Sequence, residues 1–193
     1  MGDSKTAELA FKAEVQKKLI SNCLSNLHVY FRSRKWELLA HKFRSLGYQL
    51  PKDLISCKIC DSDLSAHYFY KQKKIVLCAN NILDADFNKE VTHQVINAFD
   101  DARAEIDTSN KAHVACSAVR GVNLSEKCAK KNYFGFSKQK GEYTKCVRDK
   151  AIHEMMRFKD LGLNKNQAED VVCAVWDTCY YDYEPYTLEE FKT

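Results

Sequence analysis

Nine cysteines spread along 193 residues constrain this chain more than any other feature. They are Cys23, Cys57, Cys60, Cys78, Cys116, Cys128, Cys146, Cys173 and Cys179. Cysteines scattered over a chain of this size point to disulfides and an oxidising compartment. The competing arrangement is a four-thiolate zinc site built on Cys57-x-x-Cys60, but that needs a second closely spaced pair, and no second C-x-x-C exists. The expectation is a disulfide-stapled fold. Because nine is odd, at least one thiol stays free or pairs between chains.

The length suits one domain, or one domain with a helical extension. Residues 1–50 read as an N-terminal helical segment and 51–193 as the main domain, packed together as one compact unit. The formal net charge is +4, from 30 basic and 26 acidic residues without a long basic run. That balance argues against a nucleic-acid partner. No apolar run approaches the roughly 20 residues that span a bilayer. Any membrane association is therefore expected to be peripheral. The N-terminus has no apolar signal region and is not Arg-rich and acid-poor. "MGDSKT" fits the loose N-myristoylation pattern through Gly2 and Thr6, a short pattern that recurs by chance.

Apolar residues at helical spacing predict helices over 6–24 and 34–47, the second ended by Gly47 with Pro51 beyond it. The runs "AHYFY" and "KIVLC", split by "KQKK", predict a hairpin. From Phe87 the helical period returns, with Phe87, Val91, Val95, Ala98 and Ala102 on one face. Further helices are predicted over 109–125, ending near Gly121, then over 144–162 and 164–182. The stretch from Lys127 to Tyr143 reads as a loop. Asn164 suits an N-cap and Gln167 the matching capping-box position.

The helix after Phe87 carries "VTHQVINAFDD". A zinc-peptidase helix carries H-E-x-x-H: two His one turn apart bind the metal, and the Glu is the general base. In that register His93 stands as the first ligand, Gln94 in place of the Glu and Asn97 in place of the second His. An amide takes no proton from a metal-bound water, and zinc prefers thiolate, imidazole and carboxylate. Asp100, Asp101 and Asp107 remain as nearby oxygen ligands. The degenerate site is expected to hold no metal and to need no cofactor. His93 is expected to be a relic packed under the sheet.

The chain resembles the mitochondrial intermembrane-space zinc metallopeptidase family that processes and helps assemble ATP synthase. "THQVINAFDDARAEID" is similar to its THELIHAFD helix, and "HVACSAVRGVNLSEKC" looks like its H-L-A-C-S-E-I-R-A-A-N-L-S-G-x-C. "CVRDKAI", "CKIC", "IVLCANNI" and "VWDTCYYDYEPY" also match family segments, so the resemblance covers Cys23 to Tyr186. It implies an α+β, zincin-like fold: helix-rich, with a small sheet packed on the degenerate motif helix. It also implies disulfides among Cys23, Cys57, Cys60, Cys78, Cys116, Cys128, Cys146 and Cys179, with Cys173 an addition. Two further family cysteine positions hold Tyr48 and Ala102.

From the lost Glu and His, the chain is expected not to be an enzyme. It is expected to serve as a non-catalytic structural or accessory subunit of a respiratory-chain or ATP synthase complex, in the intermembrane space and peripheral on the inner membrane. Its partners would be protein subunits, with no small-molecule substrate. Three readings compete: an ATP synthase assembly chaperone, a residual metallopeptidase with an altered metal shell, and a free binding module. The aromatic tail offers Tyr180, Tyr181, Tyr183, Tyr186 and Phe191 as partner-binding candidates. The alternative for these rings is that they cap the protein's own core.

Overall fold

The computed structural model describes residues 3–129 and 140–192. Gly2, and most of the stretch read as a loop after Lys127, lie outside the described residues. The order is α1 (Asp3–Tyr30), α2 (Arg34–Ser45), β1 (Ile55–Lys58), β2 (Ala66–Phe69), β3 (Lys74–Cys78), α3 (Phe87–Ala104), α4 (Lys111–Leu124), α5 (Lys140–Arg157), α6 (Lys165–Tyr180) and α7 (Leu188–Lys192). This is a helix-rich α+β fold with one three-stranded sheet, in the order β1-β3-β2.

Local chemistry accounts for several boundaries. Ser33 caps α2 by accepting from the backbone N–H of Trp36, and Gly47 ends that segment at φ +74°. Asn164 and Gln167 close a reciprocal capping box at the start of α6. The predicted hairpin is present, with β2 antiparallel to β3 from Ala66↔Leu77 to Phe69↔Lys74. Sequence reading missed β1, which pairs parallel to β3. Its residues, Ile55, Ser56, Cys57 and Lys58, are only half-buried or exposed and too few to show a period.

Three helix ends differ from the prediction. α1 runs to Tyr30, because Cys23, Leu27 and Tyr30 continue the buried face at helical spacing. α5 stops at Arg157, and a 3-10 turn over Lys159–Leu161 carries the chain to Gly162 at φ +56°. α4 passes through Gly121 to Leu124. A glycine costs about 1 kcal/mol in a helix interior. Here the close approach of α3 requires it, as the site geometry shows.

The apolar side chains gather in two cores. The first joins the end of α1, α2, the sheet and the inner face of α3, with Tyr30, Phe43, Tyr68, Ile75, Val95 and Phe99 at its centre. The second lies among α4, α5 and α6, around Val119, Val147, Met155 and Val172. Each core has two disulfides. Cys23–Cys57 and Cys60–Cys78 fasten α1 and the sheet, while Cys116–Cys179 and Cys128–Cys146 fasten the later helices. Cys173 is free and exposed.

Candidate functional site

The cleft at the junction of the two cores has a volume of about 540 Å³. Its floor is the motif turn of α3, with His93, Gln94 and Asn97. One wall is β2 and the residues leading into it, the other is α5 with His153, Glu154 and Arg157. Val114, Ala118 and Val122 of α4 complete it. β2 stands at the edge of the sheet, and its Ala66, His67 and Tyr68 line this space.

His93 is 1% exposed. It is buried beside the cleft, one wall of which is β2. Its ring lies against α4, with Nε2 3.1 Å from Oε2 of Glu154 on α5. That is an ion-pair distance without hydrogen-bond alignment, and Nδ1 is buried with no partner. The ring fits only because position 121 has no side chain. A Cβ there would fall 2.4 Å from Cδ2 of His93, 2.5 Å from its Nε2 and 2.7 Å from Oδ1 of Asn97.

The two amides are committed to a relay of neutral hydrogen bonds. Tyr70 donates to Ser117 at 3.2 Å, Ser117 to Asn97 Oδ1 at 3.2 Å, and Asn97 Nδ2 to Gln94 Oε1 at 3.4 Å. Glu154 is the carboxylate of this floor, its side chain one-third exposed. Burial pushes it up. The neighbouring His93 outweighs burial, helped by Lys127 and His67, and leaves it below the usual glutamate range. Burial likewise holds His67 below the usual imidazole range, against the attraction of Glu154.

The three aspartates considered as oxygen ligands lie elsewhere. Asp100 is buried and accepts from Nε of Arg120 through both oxygens at 3.0 Å. Burial pushes its carboxyl up, opposed by Arg120 and Arg103. Asp101 accepts from Tyr68 and Lys73, both at 2.7 Å. Asp107 holds a turn with Ser109. Arg120 also reaches the chain after α6, donating to the carbonyls of Asp182 and Glu184. Arg103 meets the side chains of the same two residues.

The family model of the Peptidase M76 family matches residues 21–187. The chain belongs to the Peptidase M76 family. The mitochondrial inner membrane protease ATP23 homolog of Xenopus laevis is 36% identical over 78% of this chain and 65% of its own length. The Danio rerio homolog is 37% identical over 78% of this chain and 60% of its own length. The Homo sapiens homolog is 35% identical over 78% of this chain and 62% of its own length. The chain thus spans less than two thirds of these relatives. No solved structure matches it closely enough to compare.

These relatives overturn two expectations. They are named proteases, so neither the reading as a non-enzyme nor the reading as a non-catalytic structural subunit stands. The inference had rested on two side chains of one helical turn, whereas the likeness to proteases extends over most of the chain. Their names carry the mitochondrial inner membrane, the location expected of this chain. Among the described residues no helix is long and apolar enough to cross a membrane.

An M76 peptidase with H-E-x-x-H would hold zinc through the two His of that helix. The residues present do not fit that ion. The second position is the neutral Asn97, already hydrogen-bonded on both sides. Among the described residues no group of three His, Cys, Asp or Glu is placed to hold a metal.

Sequence reading missed Glu154, Arg120 and Gly121. Glu154 continues the apolar face of α5 seven residues after Val147 and three after Ala151, where a charge is out of place. Arg120 is likewise the one charge in "VACSAVRGVNL". Of the aromatic tail, Tyr186 is buried in the first core, and Tyr183 and Phe191 pack against it with ring centroids 5.2 Å apart. Tyr180 stacks on Trp176 at 4.6 Å. Tyr181 alone of the five is largely exposed, at 60%.

Proposed function

We propose that this M76 chain is a peptidase acting on polypeptides at the mitochondrial inner membrane, peripherally and on the intermembrane-space side. The cleft at the junction of the two cores carries this reading, with the open edge of β2 beside the motif turn of α3. An extended segment can add to such an edge through main-chain hydrogen bonds, while side chains at alternate positions enter the cleft. A small sheet beside a motif helix is also what a zincin-like domain over residues 51–193 would present, with 1–50 as its helical extension. An edge strand beside such a cleft suits an extended polypeptide segment.

The proton chemistry falls to Glu154 and His93. Gln94 carries no proton-accepting group, whereas Glu154 is held below its ordinary range and is ionised at neutral pH. Its exposed third faces the cleft, where a carboxylate can take a proton from water. His93 orients it from behind at 3.1 Å.

Incubation of the whole chain with an unfolded inner-membrane polypeptide should give discrete cleavage products. Glu154→Gln should slow their formation by about 10²–10⁴-fold, the usual weight of a general base, while binding of the polypeptide persists. The reading fails if the wild-type chain yields no products, or if Glu154→Gln cleaves at the wild-type rate.

A further inference from the structure

Three helices meet at one point of the cleft floor. α3 supplies His93, α5 supplies Glu154 and α4 supplies a bare backbone at Gly121. In a zinc peptidase of the H-E-x-x-H type, the metal at this point ties elements together, because its ligands come from more than one of them. Here the donors reaching the point are one imidazole and one carboxylate, and they meet each other directly. Nothing else on the motif turn competes for the ring, since Gln94 and Asn97 bond each other and Ser117.

We propose that the His93–Glu154 pair, seated in the gap left by Gly121, takes the structural place of a metal ion and clamps α3 to α5 across α4. Geometry carries it. The ring is almost wholly buried, its Nε2 faces a carboxylate oxygen at ion-pair distance, and a single Cβ at position 121 would displace it. An ideal Cβ less than 3 Å from both the ring and Asn97 forces those two side chains to move, and the ring cannot move without leaving its place beside Glu154. Gly121 is thus a positioning residue: it acts through His93 and touches no substrate. The clamp also gives a physical reason for a glycine inside this buried helix, where the quoted family segment has alanine, the better helix former.

The test needs no substrate, so its outcome is independent of the peptidase reading. The whole oxidised chain is dialysed against zinc and then against metal-free buffer, and its metal content and thermal midpoint are measured. The expected result is substoichiometric zinc and a midpoint that zinc does not raise. Glu154→Gln and Gly121→Ala should each lower the midpoint. The double variant should fall no further than the worse single one, because both changes break the same pair. Additive losses would show Gly121 to be a packing position only and would overturn the proposal. So would one zinc per chain that is lost on His93→Ala. If Gly121→Ala does not fold, the same cycle is run with His93→Gln and Glu154→Gln, where additivity again overturns the clamp.

Discussion

The two halves of the molecule have differently built cores, and both differ from what joins them. The first core is a mixed one, with aromatic rings of α1, α2 and α3 against a small sheet; Phe43 meets Phe99 edge-on at 5.3 Å. The second is helix on helix, mostly aliphatic. Each is sealed by two disulfides of its own, and no described disulfide crosses between them. The seam is polar by contrast. Arg120 meets Asp100, Lys127 meets Glu90 at 2.9 Å, Lys35 meets Glu126 at 3.1 Å, Arg157 meets Asp63 and His93 meets Glu154. Apolar burial is non-directional and holds each half together, whereas charge pairs fix how one half sits on the other. The cleft lies on that seam, so its shape depends on the pairs.

The largest expected effect comes from cutting the seam at its most buried point. Arg120→Met removes the hydrogen-bonded partner of the buried Asp100, leaving only Arg103 at 3.6 Å, and releases the carbonyls of Asp182 and Glu184 together. Breaking a buried pair costs up to roughly 3–5 kcal/mol when one charge is left without compensation, and Arg103 sets the loss toward the lower end of that range. Chemical denaturation should show that loss. A cost under 1 kcal/mol would mean that the seam is a weak joint and the comparison is drawn in the wrong place.

Next come the staples. In the chain-entropy picture a closed loop of 63 residues contributes about 4 kcal/mol and one of 18 about 3 kcal/mol, and these are the separations of Cys116–Cys179 and Cys60–Cys78. Replacing Cys116 and Cys179 by alanine should therefore destabilise more than replacing Cys60 and Cys78. Unfolding midpoints of the two double variants decide it; the reverse order would show that strain or residual structure, not loop length, governs the staples.

The smallest effect concerns acid. Burial raises the Asp182 carboxyl, but Arg120 and Arg103 overcome it and hold it below the usual aspartate range. A depressed value stabilises the folded state above the ordinary pKa of roughly 3.9. That contribution disappears as pH falls through the lower folded value. The segment after α6 should thus loosen below about pH 4, read as faster amide exchange around Tyr183–Tyr186. Asp182→Asn should remove that step and leave the cores' own acid response in place.

How much of this was legible in the sequence follows from what periodicity reports. The face from Phe87 through Val91 and Val95 gave α3 correctly, and "AHYFY" with "KIVLC" gave the hairpin, because burial imposes a period on each. Capping chemistry placed the start of α6 to the residue. The motif turn was found, but its partners were not. Glu154 is 61 positions from His93 by the numbering, and no local pattern ties a carboxylate on α5 to an imidazole on α3. Gly121 was read as a helix end because glycine usually marks one; only the approach of α3 shows why it sits inside. The tail was ambiguous for a related reason. A buried ring and a docking ring share one composition, and Tyr186 declares itself only by where it packs.

The pattern of the bridges also bears on how the chain finds its oxidised form. Eight cysteines can pair in 105 ways. Here the partners divide cleanly along the chain, four between Cys23 and Cys78 and four between Cys116 and Cys179. If each half gathers before its thiols react, four cysteines offer only three arrangements apiece. The search shrinks from 105 outcomes to about nine. A polypeptide delivered from its N-terminus into an oxidising space could then complete one sorted set before the next arrives, and the ninth thiol, Cys173, would be the main source of mispairing among the later residues.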